Sequence, residues 1–146
     1  MKKNALVFAV LSGLVACGNP GSNKSADGDR QFPKAGDIVA QAETPVIEDS
    51  LNHFKFSVKV IADTNVRKGI YNIDAELGPN LATGQIVLPK GAENARPDIR
   101  KGTTPYTYII GFRMTNDTAF YEYYEVSTDR RATRMRYLKS YTFESN

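Results

Sequence analysis

Residues 54–60 read Phe-Lys-Phe-Ser-Val-Lys-Val, a strict alternation of apolar and polar side chains. In an extended strand successive side chains point to opposite faces, so positions 54, 56, 58 and 60 share one apolar face. Residues 70–77, Ile-Tyr-Asn-Ile-Asp-Ala-Glu-Leu, alternate in the same way. Residues 63–69 would join the two strands as a hairpin loop. The two segments together predict an antiparallel sheet with one face in a core.

Four further strands are predicted, at residues 85–88, 106–114, 120–126 and 134–143. The chain has eight Tyr and seven Phe, and aromatic and β-branched residues favour strands. We therefore expect a single, mainly β domain over residues 37–146. It would hold about six antiparallel strands in a small β-sandwich or an incomplete barrel.

Residues 37–52 are the one helical candidate, which predicts a short helix at the amino-terminal end of the domain. Ile38, Val39, Ala42 and Val46 leave an apolar stripe at helical spacing. Pro45 would break or kink this helix, because proline removes a backbone donor and clashes with the preceding turn. The expected result is one short helix on each side of the proline, or one helix followed by extended chain.

Two short turns would set the register of the last three strands. Two-residue hairpin turns at residues 116–117 and around residues 129–130 would be typical connections of this length. The register that follows pairs Phe112 with Tyr121, Ile110 with Tyr123, and Glu125 with Arg134. The last pair would be an exposed ion pair worth at most about 1 kcal/mol. A slip of one residue would move every side chain to the other face.

Residues 90–105 are predicted to form a long irregular loop. Loops longer than about 12–15 residues are uncommon in compact domains and are usually functional or disordered. This loop carries Arg96, Arg100 and Lys101, which we single out as candidate partner-binding residues. The plainer interpretation is a solvated connection between strands.

A second basic segment, residues 129–137, reads Asp-Arg-Arg-Ala-Thr-Arg-Met-Arg-Tyr. Its candidate partner-binding residues are Arg130, Arg131, Arg134 and Arg136. The last two would project from one face of a strand and lie among aromatic residues. Candidate anions for them are lipid phosphates, cell-wall carboxylates and acidic protein surfaces. The plainer interpretation leaves them solvated and paired with Glu125.

The sequence offers little for catalysis. His53 is the only histidine and Cys17 the only cysteine, so sites that need several imidazoles or thiols are excluded. The chain has no Gly-rich phosphate loop and no Gly-x-Ser-x-Gly turn. Carboxylate pairs such as Asp74 with Glu76 are more simply solvent-facing strand residues. We therefore expect no enzyme activity, no metal and no cofactor.

The amino terminus has the layout of a secretory signal. Lys2 and Lys3 precede an uncharged apolar run that ends at residue 16, shorter than the roughly 20 residues that cross a bilayer as a helix. Residues 14–17, Leu-Val-Ala-Cys, closely resemble the lipobox of bacterial lipoproteins. The resemblance implies that residues 1–16 are a signal peptide that is removed, and that Cys17 carries palmitate or a similar acyl chain.

The residues after the cysteine bear on where the protein resides. In lipoproteins of this class a residue other than Asp after the cysteine favours the outer membrane, and here that residue is Gly18. Residues 17–36 are rich in Gly, Asn, Ser and Pro. Such a composition buries too little apolar surface to fold, so this segment would be a disordered tether.

Charge limits the class of partner. Lys2 and Lys3 leave with the signal, so 17 of the 19 basic residues remain against 16 acidic residues, a net charge of +1. This near-neutral balance gives no field that would attract nucleic acid.

We therefore expect a membrane-anchored lipoprotein of the bacterial cell envelope that acts as a protein-binding or accessory module for another envelope protein. One alternative is an inhibitor or immunity protein that blocks a toxin or an envelope hydrolase with residues 90–105. The other alternative is a carrier that holds a small apolar ligand between its sheets.

Substituting Cys17 with Ser should abolish acylation, because the sulfur is the atom to which the lipid would be attached. In cells grown with a labelled fatty acid, the unsubstituted protein should take up label and lose residues 1–16. The Cys17→Ser variant should do neither, and mass spectrometry of the amino terminus reads both changes. An unsubstituted protein that takes up no label would contradict the resemblance to lipoproteins.

Overall fold

A computed structural model of the chain describes residues 32–46, 53–92, 95–115, 117–129, 131–141 and 143. The predicted signal peptide, Cys17 and residues 17–31 of the predicted tether lie outside these described residues. The described residues contain eight strands: β1 Ile38–Pro45, β2 Lys55–Ala62, β3 Ile70–Leu77, β4 Asn80–Val87, β5 Ala95–Lys101, β6 Thr107–Met114, β7 Phe120–Thr128 and β8 Thr133–Tyr137.

The strands form two antiparallel four-stranded sheets, each a simple meander in which neighbours in sequence are neighbours in space. The first sheet has the order β1-β2-β3-β4 and the second has the order β5-β6-β7-β8. The prediction of a mainly β, antiparallel domain is confirmed. The prediction of about six strands is wrong, because β1 and β5 lie where a helix and a loop were expected.

The predicted amino-terminal helix is a strand in the described residues. Residues 38–45 pair with β2, and Ala42 lies opposite Val58. Their burial alternates with a period of two, with Ala42 and Thr44 turned inward. Pro45 is tolerated at the end of this strand because β1 is at the edge of its sheet. The helical structure of the described residues is a single 3-10 turn, Val66–Lys68, and residues 47–52 lie outside them.

The predicted loop at residues 90–105 contains the edge strand β5. This strand pairs with β6 in a continuous register from Ala95 opposite Met114 to Lys101 opposite Tyr108. Ala95 and Pro97 are buried and Arg96 is exposed, as in a strand with one face in a core. Proline fits here because an edge strand leaves alternate N–H groups unpaired.

The register of the second sheet differs from the predicted one at two points. Phe112 does lie opposite Tyr121, but a bulge at Tyr123 then places Tyr124 opposite Ile110. The β7–β8 turn has four residues, 129–132, because the Asp129 carboxylate accepts hydrogen bonds from the backbone N–H groups of Arg131 and Ala132. Glu125 therefore lies opposite Arg136 and not Arg134.

The inner faces of both sheets contribute to one hydrophobic core. Its most deeply buried side chains are Phe56, Val58, Val60, Ile73 and Ile86 from the first sheet and Ile110, Phe112 and Val126 from the second. The rings of Phe56 and Tyr108 meet across the core at a centroid distance of 5.6 Å. Tyr141 and Phe143 follow β8 and pack edge-on against Phe112.

Gly111 is required by the close approach of β7. A Cβ atom at this position would overlap the backbone oxygen of Tyr121 and lie 2.9 Å from the ring of Phe120. We expect Gly111→Ala to lower the free energy of unfolding by about 1–3 kcal/mol, the usual cost of overpacking. Urea denaturation monitored by circular dichroism measures this change.

Gly84→Ala is the matched control, because the added methyl group would meet the flexible end of the Met135 side chain and no backbone atom. Gly84→Ala should lower the free energy of unfolding clearly less than Gly111→Ala does. Equal losses for the two variants would contradict the tight backbone contact at Gly111.

Candidate functional site

The outer face of the second sheet collects arginines from three of its four strands. We call this surface the arginine face, and it comprises Arg96, Asp98, Arg100, Ile109, Gly111, Arg113, Phe120, Glu122, Glu125, Arg134 and Arg136. Side chains opposite one another in a ladder lie on the same side of the sheet. Arg96 lies opposite Arg113, and Glu125 opposite Arg136. The strand pairing therefore places cations from β5, β6 and β8 on one surface.

At one end of this face, the ring of Phe120 contacts two guanidinium groups. The Arg100 guanidinium lies 4.1 Å from the centroid of the Phe120 ring, and that of Arg113 lies 5.9 Å from it. Gly111 has no side chain, which leaves space for the ring to lie close to β6. Each cation–π contact of this exposed kind is worth about 0.5–1 kcal/mol. The ring therefore holds a pair of positive charges close together at the surface.

Arg96 and Arg113 form a like-charge pair directly opposite each other, an arrangement that destabilises a sheet. The carboxylate of Asp98 offsets part of this repulsion, because its Oδ2 accepts a hydrogen bond from Nε of Arg113 at 2.5 Å. Within the described residues no carboxylate lies in ion-pair range of Arg96 or Arg100. This end of the arginine face is therefore the part with uncompensated positive charge.

The opposite edge of the face holds two exposed ion pairs. Nη2 of Arg136 lies 3.0 Å from Oε1 of Glu125, and Nη2 of Arg134 lies 2.9 Å from Oδ2 of Asp129. The side chains of Arg136 and Arg134 remain 68% and 71% exposed. Exposed ion pairs contribute less than about 1 kcal/mol, so both guanidinium groups remain available to a partner.

The structure gathers four of the seven candidate residues on the arginine face, namely Arg96, Arg100, Arg134 and Arg136. Lys101 is exposed at the next position of β5, which points to the other side of the sheet. Arg131 is exposed in the β7–β8 turn. Arg130 lies outside the described residues.

Sequence reasoning missed Arg113 and Phe120 as members of this site. A signal was present, because the predicted hairpin already placed these two residues opposite each other, as they are. Their connection to Arg100 needed β5, which was interpreted as a loop.

The carboxyl group of Asp129 organises the turn that presents Arg134. Hydrogen bonds from the backbone N–H groups of Ala132 and Arg131 lower the pKa of Asp129, and the positive charge of Arg134 lowers it further. Behind the face, the rings of Tyr123, Tyr124 and Tyr137 cluster at centroid distances of 5.3–5.5 Å. Burial raises the pKa of Tyr123 and Tyr124, so these hydroxyls stay protonated at neutral pH.

Other surfaces of the described residues show weaker features. Two shallow open depressions lie on the outer face of the first sheet, the larger with a volume of about 350 Å³ and lined by Lys59, Asp74 and Glu76 among others. His53 lines the smaller one. The described residues contain no group of three or more His, Cys, Asp or Glu side chains that could hold a metal ion. None of the helical structure among them is long and apolar enough to cross a membrane.

Comparison with known proteins adds no residue assignment to this face, since no family model, no curated protein and no solved structure matches the chain. The functional argument therefore rests on the residues of the chain itself. Among the described residues, the arginine face combines exposed guanidinium groups with an aromatic ring.

The substitution Asp129→Asn tests the electrostatics of the turn. Because the pKa of Asp129 is lowered by folding, its stabilising effect is fully present above the unfolded value near 3.9 and is lost as the pH falls through the folded value. The amide is isosteric with the protonated carboxyl group. We expect the variant to melt below the unsubstituted protein at pH 7, and the two melting temperatures to approach each other as the pH falls through the lowered pKa of folded Asp129. A difference that stays constant between pH 7 and pH 2 would contradict this account.

Proposed function

We propose that the chain is a lipid-anchored protein of the bacterial cell envelope whose arginine face binds an acidic surface of another envelope protein. In this proposal the two sheets form a small β-sandwich, and the second sheet presents the face on its outer side. The protein acts as a binding or accessory module. The lipobox resemblance at residues 14–17 supports the anchor, and Gly18 supports an outer-membrane location.

The observation that carries the proposal is the pair of guanidinium groups of Arg100 and Arg113 over Phe120, with Arg96 opposite Arg113. A protein that only needed a stable sheet would gain by removing the like-charge pair, since opposite like charges are unfavourable. Arginine and aromatic residues are also the residues that most often carry the binding energy of interfaces. A guanidinium group presents paired N–H donors that match a carboxylate in two parallel hydrogen bonds.

An acidic protein is the best match among envelope anions. The cations on the face come from three strands of a four-stranded sheet whose strands are spaced about 4.8 Å apart, which makes a broad flat surface and not a pocket for one small ion. Broad flat surfaces are typical of protein–protein contact. The net charge of +1 after removal of residues 1–16 continues to argue against nucleic acid.

The inhibitor or immunity alternative can use the same face. Residues 95–101 belong to a sheet and are not a free loop, so an inhibitor of this architecture would cover its target with a face and not insert a loop. The carrier alternative has less support. The space between the sheets is filled by Phe56, Ile73, Ile110 and Phe112, each with 0% exposure.

The double substitution Arg96→Glu/Arg100→Glu tests the proposal without breaking any ion pair among the described residues. The full chain, tagged at its carboxyl end, is expressed in its host and cross-linked, and partners are quantified by mass spectrometry. We expect the double variant to capture at least tenfold less of its specific partner. Each reversed contact to a charged group removes about 1.5–3 kcal/mol of binding free energy.

The control is Lys55→Glu/Lys59→Glu, which makes the same charge change on the outer face of the first sheet. It should retain the partner. Capture that survives Arg96→Glu/Arg100→Glu, or that the control abolishes equally, would contradict binding through the arginine face.

A further inference from the structure

One end of the first sheet has an apolar outer surface. Ile38, Ile61, Ile70 and Val87 each come from a different strand and point outward at this end, and we call them the apolar row. Ile38 is 50% exposed and Val87 is 45% exposed. Two polar side chains lie among them, since Asn72 lies opposite Ile61 and Gln85 opposite Asn72. The rest of the face is polar, with Lys59, Asp74 and Glu76 near its centre. The apolar row is thus a local feature of one end and not of the whole face.

Cations surround this row. Arg67 and Lys68 are exposed in the β2–β3 connection, and Lys34 is exposed in the segment before β1. Two carboxylates are also present, and both are engaged: Asp37 accepts from the backbone N–H of Lys34 at 2.7 Å, and Asp63 accepts from side chains that include Asn72 at 3.0 Å. Three cations against two carboxylates leave this end with a formal net charge of +1.

The described chain begins at this same end. Phe32 is 40% exposed, and the Arg67 guanidinium lies 6.0 Å from its ring centroid. The backbone N–H of Gly36 donates to the carbonyl oxygen of Ala62 at the end of β2, which fixes the segment here. Fourteen residues lie between Cys17 and Phe32, and the fifteen Cα–Cα steps span at most about 50 Å. A lipid on Cys17 would attach the domain to the bilayer through this end.

We propose that this end of the first sheet docks on an anionic phospholipid surface, with Arg67, Lys68 and Lys34 on lipid phosphates and Phe32 and the apolar row at the headgroup boundary. The inference rests on the proposed lipid anchor, because the anchor brings this end to the membrane. Basic residues beside exposed apolar side chains are the combination that binds anionic bilayers. The arginine face belongs to the other sheet and points away from this surface, so it stays free for a protein partner.

Vesicle sedimentation of residues 18–146 tests the docking without any lipid anchor. Removing residues 1–17 takes away none of the described residues and leaves intact the compact unit of residues 31–146. The vesicles contain equal parts of phosphatidylglycerol and phosphatidylethanolamine, and pure phosphatidylcholine vesicles serve as the neutral comparison. We expect binding to the anionic vesicles that is at least tenfold tighter than to the neutral ones.

The double variant Arg67→Glu/Lys68→Glu should weaken binding to the anionic vesicles by at least tenfold, because each basic residue near such a surface contributes about fivefold. Ile38→Ser/Val87→Ser should weaken it severalfold through loss of apolar contact. Lys55→Glu/Lys101→Glu carries the same charge change at the opposite end, near Phe56 and Tyr108, and should leave binding within twofold. Circular dichroism confirms that each variant is folded.

Two results would overturn the docking surface: no preference of the unsubstituted chain for anionic vesicles, or equal losses in the Arg67/Lys68 and Lys55/Lys101 variants. Neither depends on acylation of Cys17 or on capture of a protein partner. A failure of docking is therefore distinguishable from a failure of the proposed function.

Discussion

Contact between the inner faces of the two sheets is the interaction on which the rest of the molecule depends. Neither meander could be stable alone, because each would expose one complete apolar face to water. Phe56 meets Tyr108 across the core, and the hydroxyl groups of Thr44 and Tyr108 share a hydrogen bond at 2.5 Å. Burying one Val, Ile or Phe side chain contributes about 1.5–3 kcal/mol. The inner faces thus supply the stability, and the two outer faces are free to differ in chemistry.

The bulge at Tyr123 decides which side chains reach the outer face of the second sheet. Strict alternation through β7 would put Tyr124 and Val126 on the side of Phe120, and Glu125 in the core. The extra residue shifts the alternation, so Val126 is buried with 0% exposure and Glu125 points outward to meet Arg136. A β-bulge adds one residue to one strand and re-aims the side chains that follow it. The bulge therefore decides which residues of β7 after Tyr123 belong to the arginine face.

The sequence supports parts of this arrangement and not others. Residues 70–77 were predicted as a strand with the bounds that β3 has, because their polar and apolar positions alternate from Tyr71 to Leu77. The apolar positions of β1 fit a helix as well as a strand, and only pairing with β2 selects the strand. In β5 most residues are charged or proline, so no alternation identifies it before β6 lies beside it. The same limit applies to the site: Arg134 and Arg136 share a face by simple alternation, whereas their relation to Arg96 needs the order of four strands.

The edge strands of the two sheets indicate why a partner should bind an outer face of the protein and not an edge. β1 lies beside β5, and β4 lies beside β8, with Cα atoms within 8 Å. An edge strand that is covered in this way cannot easily add a strand from another protein, which is the usual route of edge recognition. Contact with a partner then has to come from an outer face. Of the two, the second sheet carries the exposed arginines and Phe120, and the first carries the apolar row at the end where the chain begins. A molecule held at that end can offer the arginine face to a second protein only because the two outer faces lie on opposite sides of one core.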